Sequence, residues 1–489
     1  MNAPAAVEEP DLGYKPRGLY YGGKWVEATS GRTFASINPA TGRKLGDVPY
    51  ADNNDVDLAV NSAVKGFAEW KKVGIKERAQ CLEAWAKRVR AESKRLALID
   101  AVDSGNAVKG MEGDMHWTAD SLDYFAGLIT EIKGTTSSQG PRHMNFSRRQ
   151  PCGVVAKLNA FNHPFRFCVE KAAAPLAAGN CVVIKSSEQA PLSSFDVAAL
   201  ADGIFPPGVV NVVAGDGATG AALVAHPKVS RVGFIGSVET GRLVAKGAAE
   251  GLKRVTLELG GKNPIIIFPD ADPKKAASAA IKGMNMNRQG QSCSSTSRVF
   301  VHASLHRAVI GEIVRQAESL PVGLPWIEAN ELGPVVSERQ FARIMSFIEA
   351  GRREGATLAT GGDKPKDAQL QAGYFIRPTV FDDVRQGMRI AREEIFGPVM
   401  SVLPWTDAAD MLADVNSVQY GLTAAIVTNR LDLAMQTAEE VEAGYVWINS
   451  TGRYLGEPYG GWKQSGLGVE ECFEELLSYT QTKNITMRW

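Results

Sequence analysis

The chain has 489 residues, 44% hydrophobic and 22% charged, a globular balance in a length too great for one ordinary core. Lysine plus arginine equals aspartate plus glutamate, 54 of each, so no global field draws nucleic acid or an anionic membrane surface. The first residues carry no basic-then-apolar leader, and no apolar run reaches the roughly 18–20 residues of a membrane helix, so a cytoplasmic enzyme without nucleic-acid or membrane partners is expected.

After a polar arm over residues 1–10, Leu19 to Val26 predicts a hairpin about Gly22 and Gly23, and Asn38-Pro39-Ala40-Thr41-Gly42 a turn. From Asp55 to about Ile129, apolar residues recur at three and four, as in Val56, Leu58, Ala59, Ala63 and Phe67, which predicts several amphipathic helices. Residues 130–149 turn polar and then alternate from His143 to Arg149, as in a protruding hairpin of the kind that mediates oligomerisation. From Gly153 onward, strand-like runs at 154–158, 181–184, 209–213, 231–235 and 256–259 alternate with helical ones, predicting right-handed βαβ units and a parallel sheet. A second series follows, with strands expected at 298–301, 374–380, 399–404, 423–427 and 445–448, so the chain reads as two α/β lobes. The six cysteines form no CxxC pair, and the HxxxH of His302 and His306 has Ala303 where a zinc-protease helix carries glutamate. No metal is expected.

Two turns compete for a dinucleotide. Gly215-Asp216-Gly217-Ala218-Thr219-Gly220 matches GxGxxG after a strand, with Glu239 roughly 20 residues on. In Phe234-Ile235-Gly236-Ser237, a strand instead runs into a residue suited to cap the next helix, where a pyrophosphate can sit. Spacing alone does not choose between them.

Three residues carry carbonyl chemistry. Cys293 in Gln289-Gly290-Gln291-Ser292-Cys293 offers a thiol, Glu258 in Leu257-Glu258-Leu259-Gly260-Gly261-Lys262 a base, and Asn162 in Phe161-Asn162-His163-Pro164 an oxyanion donor. Alone, Cys293 reads as a small buried hydrophobe; beside the other two it reads as a nucleophile. The flanking leucines predict a partly desolvated Glu258 with its pKa raised.

These three motifs, Lys185-Ser186-Ser187-Glu188-Gln189, Gly236-Ser237, Glu393-Glu394-Ile395-Phe396-Gly397-Pro398 and Gly460-Gly461-Trp462-Lys463-Gln464-Ser465-Gly466 come in the order and spacing of the NAD(P)-dependent aldehyde dehydrogenase superfamily, which the chain resembles over nearly its whole length. The resemblance implies an α/β fold with a Rossmann-like NAD-binding domain (1–128 and 149–261), an α/β catalytic domain (262–465) and an oligomerisation flap (129–148 and 466–489) of a homodimer or homotetramer. It implies that Ser237 meets the pyrophosphate, that Lys185 and Glu188 hold the adenosine ribose, and that Glu394 and Phe396 position the nicotinamide side, with Phe161, Gly215 and Leu259 completing the cofactor set. Taken singly, these residues read as an ion pair, a helix cap and core packing. Glu188 favours NAD by repelling a 2′-phosphate, with Ser186 and Ser187 leaving NADP open.

By the same resemblance Cys293 attacks an aldehyde, Asn162 steadies the thiohemiacetal oxyanion, hydride loss leaves a thioester, and Glu258 activates the hydrolytic water. The substrate tunnel is then lined by Trp117, His163, Phe167, Ser292, Arg453, Tyr454 and Tyr459, flanked by Arg166, which suits an aromatic aldehyde or, through an arginine, a carboxylated semialdehyde. Phe161 and His163 stand where the family usually has Trp and Phe, Arg288 where it has Asn, and Trp462 and Val469 where it has Tyr and Arg. The alternatives are a CoA-acylating dehydrogenase, disfavoured by Glu258, and a catalytically silent binding protein.

Overall fold

The computed structural model describes residues 8–13, 17–138 and 140–489. Most of the expected N-terminal arm lies outside them. Leu19–Tyr21 and Lys24–Val26 form the hairpin with Leu19 opposite Val26, and Gly22 and Gly23 supply the positive φ angles its tight turn needs. The helical region resolves into Asn53–Trp70, Ile75–Ala91, Ser93–Ser104 and Val108–Leu128. The first of these starts at a capping box in which the Asp52 carboxylate accepts from the backbone of Asn54 and Asp55.

The strands Val210–Val213, Cys181–Lys185, Val154–Leu158, Val229–Ile235 and Arg254–Glu258 lie side by side and parallel in that order, as the alternation predicts. The N-terminal hairpin adds antiparallel to one edge and Gly466–Leu467 to the other. Within the stretch from 466 onward, which sequence reading groups with a flap, residues 466–467 are held at the sheet edge by the backbone of Leu257 and Glu258, and a separate strand runs over Thr480–Arg488.

A second, seven-stranded sheet carries Arg298–His302, Val399–Trp405, Thr423–Val427 and Tyr445–Ile448, close to their expected places. Two strands differ. The run 374–380 is strand only over Thr379–Asp382, because Pro378 cannot donate to a ladder and Tyr374 bonds instead to the Pro39 carbonyl. Pro264–Ile267, central in the sheet, has no counterpart in the sequence reading; its proline is tolerated as the first strand residue. Apart from both sheets, Thr136–Ser138, His143–Pro151 and Thr480–Arg488 make a three-stranded antiparallel sheet. No helix of the described residues is long and apolar enough to cross a membrane.

Candidate active site

Cys293 follows a short 3-10 turn, Met286–Arg288, bracketed by left-handed Asn285 and Gln289. Gly290 continues in the left-handed region, and a Cβ there would lie 2.3 Å from the Gly397 carbonyl, so only glycine lets the loop press against its neighbour. The loop is strapped from several sides: Gln289 Nε2 donates to Gly105 O at 2.9 Å, Gln291 Oε1 accepts from Val336 N at 3.2 Å, and Asn263 Nδ2 donates to the Cys293 carbonyl at 2.7 Å. Burial pushes the Cys293 thiol up to about 11, with Arg453 pulling it down and Glu258 adding to the rise.

Asn162 sits between the strand Val154–Leu158 and a helix that Pro164 opens at its first turn. Its carbonyl accepts from Asn106 Nδ2 at 3.0 Å, so the pair Gly105 and Asn106 ties down both the thiol loop and the amide loop. The Asn162 side chain makes no hydrogen bond among the described residues. Glu258 ends its strand, and both its carboxylate oxygens are buried without a hydrogen-bond partner. Burial first, then the charge of Glu470, raises its pKa well above the carboxylate range, the direction its flanking leucines predict.

A buried ion network, unforeseen from sequence, lies behind Glu258. Lys171 contacts Glu170 at 2.8 Å, Glu470 at 3.0 Å and Glu471 at 3.3 Å, and Lys157 lies 3.7 Å from Glu470. The signal was present: Arg166, Glu170 and Lys171 interrupt an otherwise apolar helix whose every residue is buried, and buried charges must pair. A second cluster centres on Asp114, which takes His163 Nδ1 at 2.6 Å, Arg288 at 2.7 Å and Arg166 at 3.5 Å. Burial opposes its ionisation, but Arg288, His163 and Arg166 together hold the carboxyl below its usual range. Burial lowers His163 to about 4, leaving it neutral at pH 7.

Of the tunnel residues, His163 meets Phe167 at a tilt, with ring centroids 4.8 Å apart. Arg453 lies over the Tyr459 ring at 4.1 Å and the Trp117 ring at 5.8 Å, Arg166 faces Trp117 at 4.8 Å, and the Tyr459 hydroxyl is 3.8 Å from Cys293 Sγ. Neither arginine is free: Arg166 belongs to the Asp114 and Glu170 cluster, and Arg453 contacts Glu471 at 3.3 Å. Ser292 turns to Ser294 at 3.1 Å, and Tyr454 is 69% exposed, with no ring contact to the set.

The cofactor candidates gather at the carboxyl ends of the parallel strands, where open α/β sheets bind ligands. Lys185 pairs with Glu188 at 3.4 Å, and burial lowers the lysine's pKa. Gly215 abuts the start of helix Gly217–Ala225, where a Cβ would lie 2.1 Å from Thr219 Oγ1. That helix is already capped by a carboxylate, Asp216, which accepts from Ala218 N and from the Tyr50 hydroxyl. The helix Val238–Glu250 is capped only by the neutral Ser237 hydroxyl, so its N-terminus is the better anion site. Leu259 packs its methyls against Gly241 on that helix. Across the cleft, Glu394 accepts from Gly261 N at 3.0 Å, burial raising it to about 7, and Phe396, itself left-handed, meets Phe161 edge-on at 5.7 Å. The residues present fit an extended dinucleotide: a helix N-terminus capped by a hydroxyl rather than a carboxylate for phosphate, a carboxylate for ribose hydroxyls and two rings at the far end.

Residues 25–485 match the Aldehyde dehydrogenase family. The chain is 42% identical over 478 residues to aldehyde dehydrogenase tropH of Talaromyces stipitatus, covering 96% of this chain and 93% of that protein. Among solved structures, it is similar to an NAD+ complex of aldehyde dehydrogenase from Bacillus cereus (38% identity, TM-score 0.94, 97% of each chain). It is also similar to betaine aldehyde dehydrogenase from Staphylococcus aureus in complex with NAD+ (32% identity, TM-score 0.95, 97% of this chain and 95% of that one).

Proposed function

The chain belongs to the aldehyde dehydrogenase family, an NAD(P)-dependent oxidoreductase of aldehydes, and on that premise we propose that it oxidises an aldehyde to the carboxylic acid through Cys293. The observation that carries the reading is the pairing of a strapped cysteine loop with a buried carboxylate that has no partner of its own. Cys293 Sγ, once deprotonated, adds to the aldehyde carbon, and the Asn162 amide with the Cys293 backbone N–H steadies the oxyanion. Ser237, Lys185, Glu188, Glu394 and Phe396 would hold NAD, with Phe161, Gly215 and Leu259 shaping its bed. The chemistry NAD supplies when bound is acceptance of the hydride released from the tetrahedral carbon. Glu258, made more basic by burial than a solvated carboxylate, then takes a proton from the water that cleaves the thioester, and the acid leaves. A carboxylate in that place supports hydrolysis over transfer to CoA.

Two substrate readings stand. The rings of Trp117, Phe167 and Tyr459 favour an aromatic aldehyde. A carboxylated aldehyde is supported by Arg453, whose partner Glu471 is shared with Lys171 and Arg166, so its guanidinium is the least neutralised of the group. We also read residues 1–128 and 149–261 as the NAD-binding unit, 262–465 as the catalytic unit, and 129–148 with 466–489 as the flap joining subunits of a cytoplasmic homo-oligomer. Cys293→Ala tests the core of the proposal: NADH formation across an aldehyde panel should vanish while NAD still binds by fluorescence titration, and turnover near wild type would end the covalent reading.

A further inference from the structure

Tyr459 reads from sequence as one more aromatic wall, but the structure gives its hydroxyl a particular address. The oxygen lies 3.8 Å from Cys293 Sγ, and the sulfur is its only hydrogen-bond partner among the described residues. The residue is 3% exposed, and a buried phenol that is not paired leaves a polar group stranded. Its position is fixed on three sides. Tyr459 N donates to Glu470 O at 3.1 Å and Tyr459 O accepts in return from Glu470 N at 2.7 Å, Arg453 covers one ring face at 4.1 Å, and the Tyr445 ring stands 5.9 Å away. Cys293 is fixed in turn by Asn263 on its carbonyl. The two groups therefore meet by construction of the loops rather than by a rotamer free to drift.

We propose that Tyr459 is a catalytic residue, its O–H donating to the Cys293 sulfur and stabilising the thiolate that attacks the aldehyde. The inference rests on Cys293 being the nucleophile. A hydrogen bond to a charged acceptor is worth more than one to a neutral acceptor, so the contact favours thiolate over thiol. Tyr459 supplies a dipole and not a base: the thiol proton leaves by another route, because burial, with Cys293, Glu258 and Glu471 adding to it and Arg453 opposing, keeps the phenol protonated. The need for such a donor is visible in the charges around the sulfur. Burial, Glu258 and Glu394 disfavour the thiolate, whereas Arg453 and Tyr459 act in its favour.

Tyr459→Phe removes one oxygen and keeps the ring. The measurement is the rate of Cys293 alkylation by iodoacetamide in the full-length enzyme without cofactor, followed from pH 7 to 11 and located by mass spectrometry. Alkylation at fixed pH should slow about three- to tenfold, the profile should move up by about 0.5–1 pH unit, and kcat should fall with KM little changed. An unmoved profile, or faster alkylation through a roomier tunnel, would overturn the proposal. Label falling on another cysteine, or turnover surviving in Cys293→Ala, would instead remove the nucleophile assignment and this proposal with it.

Discussion

Glu258→Gln should separate the two half-reactions of the proposed cycle. Both carboxylate oxygens are buried without a partner, so the amide replaces them sterically and breaks no hydrogen bond. A positioned general base contributes about 10²–10⁴-fold, or about 2.7–5.4 kcal/mol of barrier, and thioester hydrolysis should slow by that factor. Acylation should not slow, because the Glu258 charge raises the Cys293 pKa and its loss makes the thiolate easier to form. In stopped-flow, the variant should therefore release close to one NADH per Cys293 in a burst and then continue at the depressed rate. The pH dependence follows from the sign of the shift. Burial and Glu470 shift the titration of this carboxyl upward, so hydrolysis by the wild type should rise with pH as Glu258 loses its proton and level off once it is ionised. The glutamine variant should lack this hydrolytic limb. A burst that collapses together with the steady state would mean that Glu258 acts before the thioester exists, and an unchanged steady state would remove it from hydrolysis.

Asn162→Ala should lower kcat about 10²–10³-fold, the loss typical of one oxyanion donor (about 2.7–4 kcal/mol), with the fall appearing in the burst rate rather than in its amplitude. A full-speed burst would assign the oxyanion to the backbone alone. Arg453→Met should raise KM for a distally carboxylated aldehyde at least tenfold relative to a neutral aromatic one, about 1.4 kcal/mol for the carboxylate contact. Glu471 keeps Lys171 at 3.3 Å and Arg166 at 3.7 Å, so the change strands no buried charge, and equal shifts for both aldehydes would leave only the aromatic reading.

The parallel strands were legible because each is a short apolar run bounded by glycine, proline or polar residues, a local property. Pro264–Ile267 escaped because its first residue looks like a breaker, and only the neighbouring strands beginning at Arg298 and Thr423 reveal a ladder that tolerates it. Cys293, Glu258 and Asn162 were legible because each sits in its own contiguous motif. The residues that govern them were not: Glu470, Glu471 and Lys171 meet through tertiary contacts, and a charged residue in a one-dimensional string looks the same whether solvated or sealed. The cap that already fills the start of helix Gly217–Ala225 was equally hidden, since it depends on where the Asp216 carboxylate turns.

The departures from the family pattern at 163 and 288 look unrelated in sequence, yet they converge on one carboxylate. Asp114 Oδ2 takes the imidazole and Oδ1 the guanidinium, so the two departures share one buried carboxylate, each occupying one of its oxygens. With Nδ1–H committed to Asp114, His163 is held neutral beside Asn162, and the positive charge of Arg288 is neutralised at its source. The side of the pocket proposed for the oxyanion thus gains polarity without gaining a competing cation. A ring in the family's usual phenylalanine position can become a histidine here because the buried aspartate fixes its tautomer. The same coupling bears on engineering: phenylalanine at 163 alone leaves Asp114 with two arginines and one unpaired oxygen, so residues 163, 114 and 288 must be exchanged together to give a nonpolar wall.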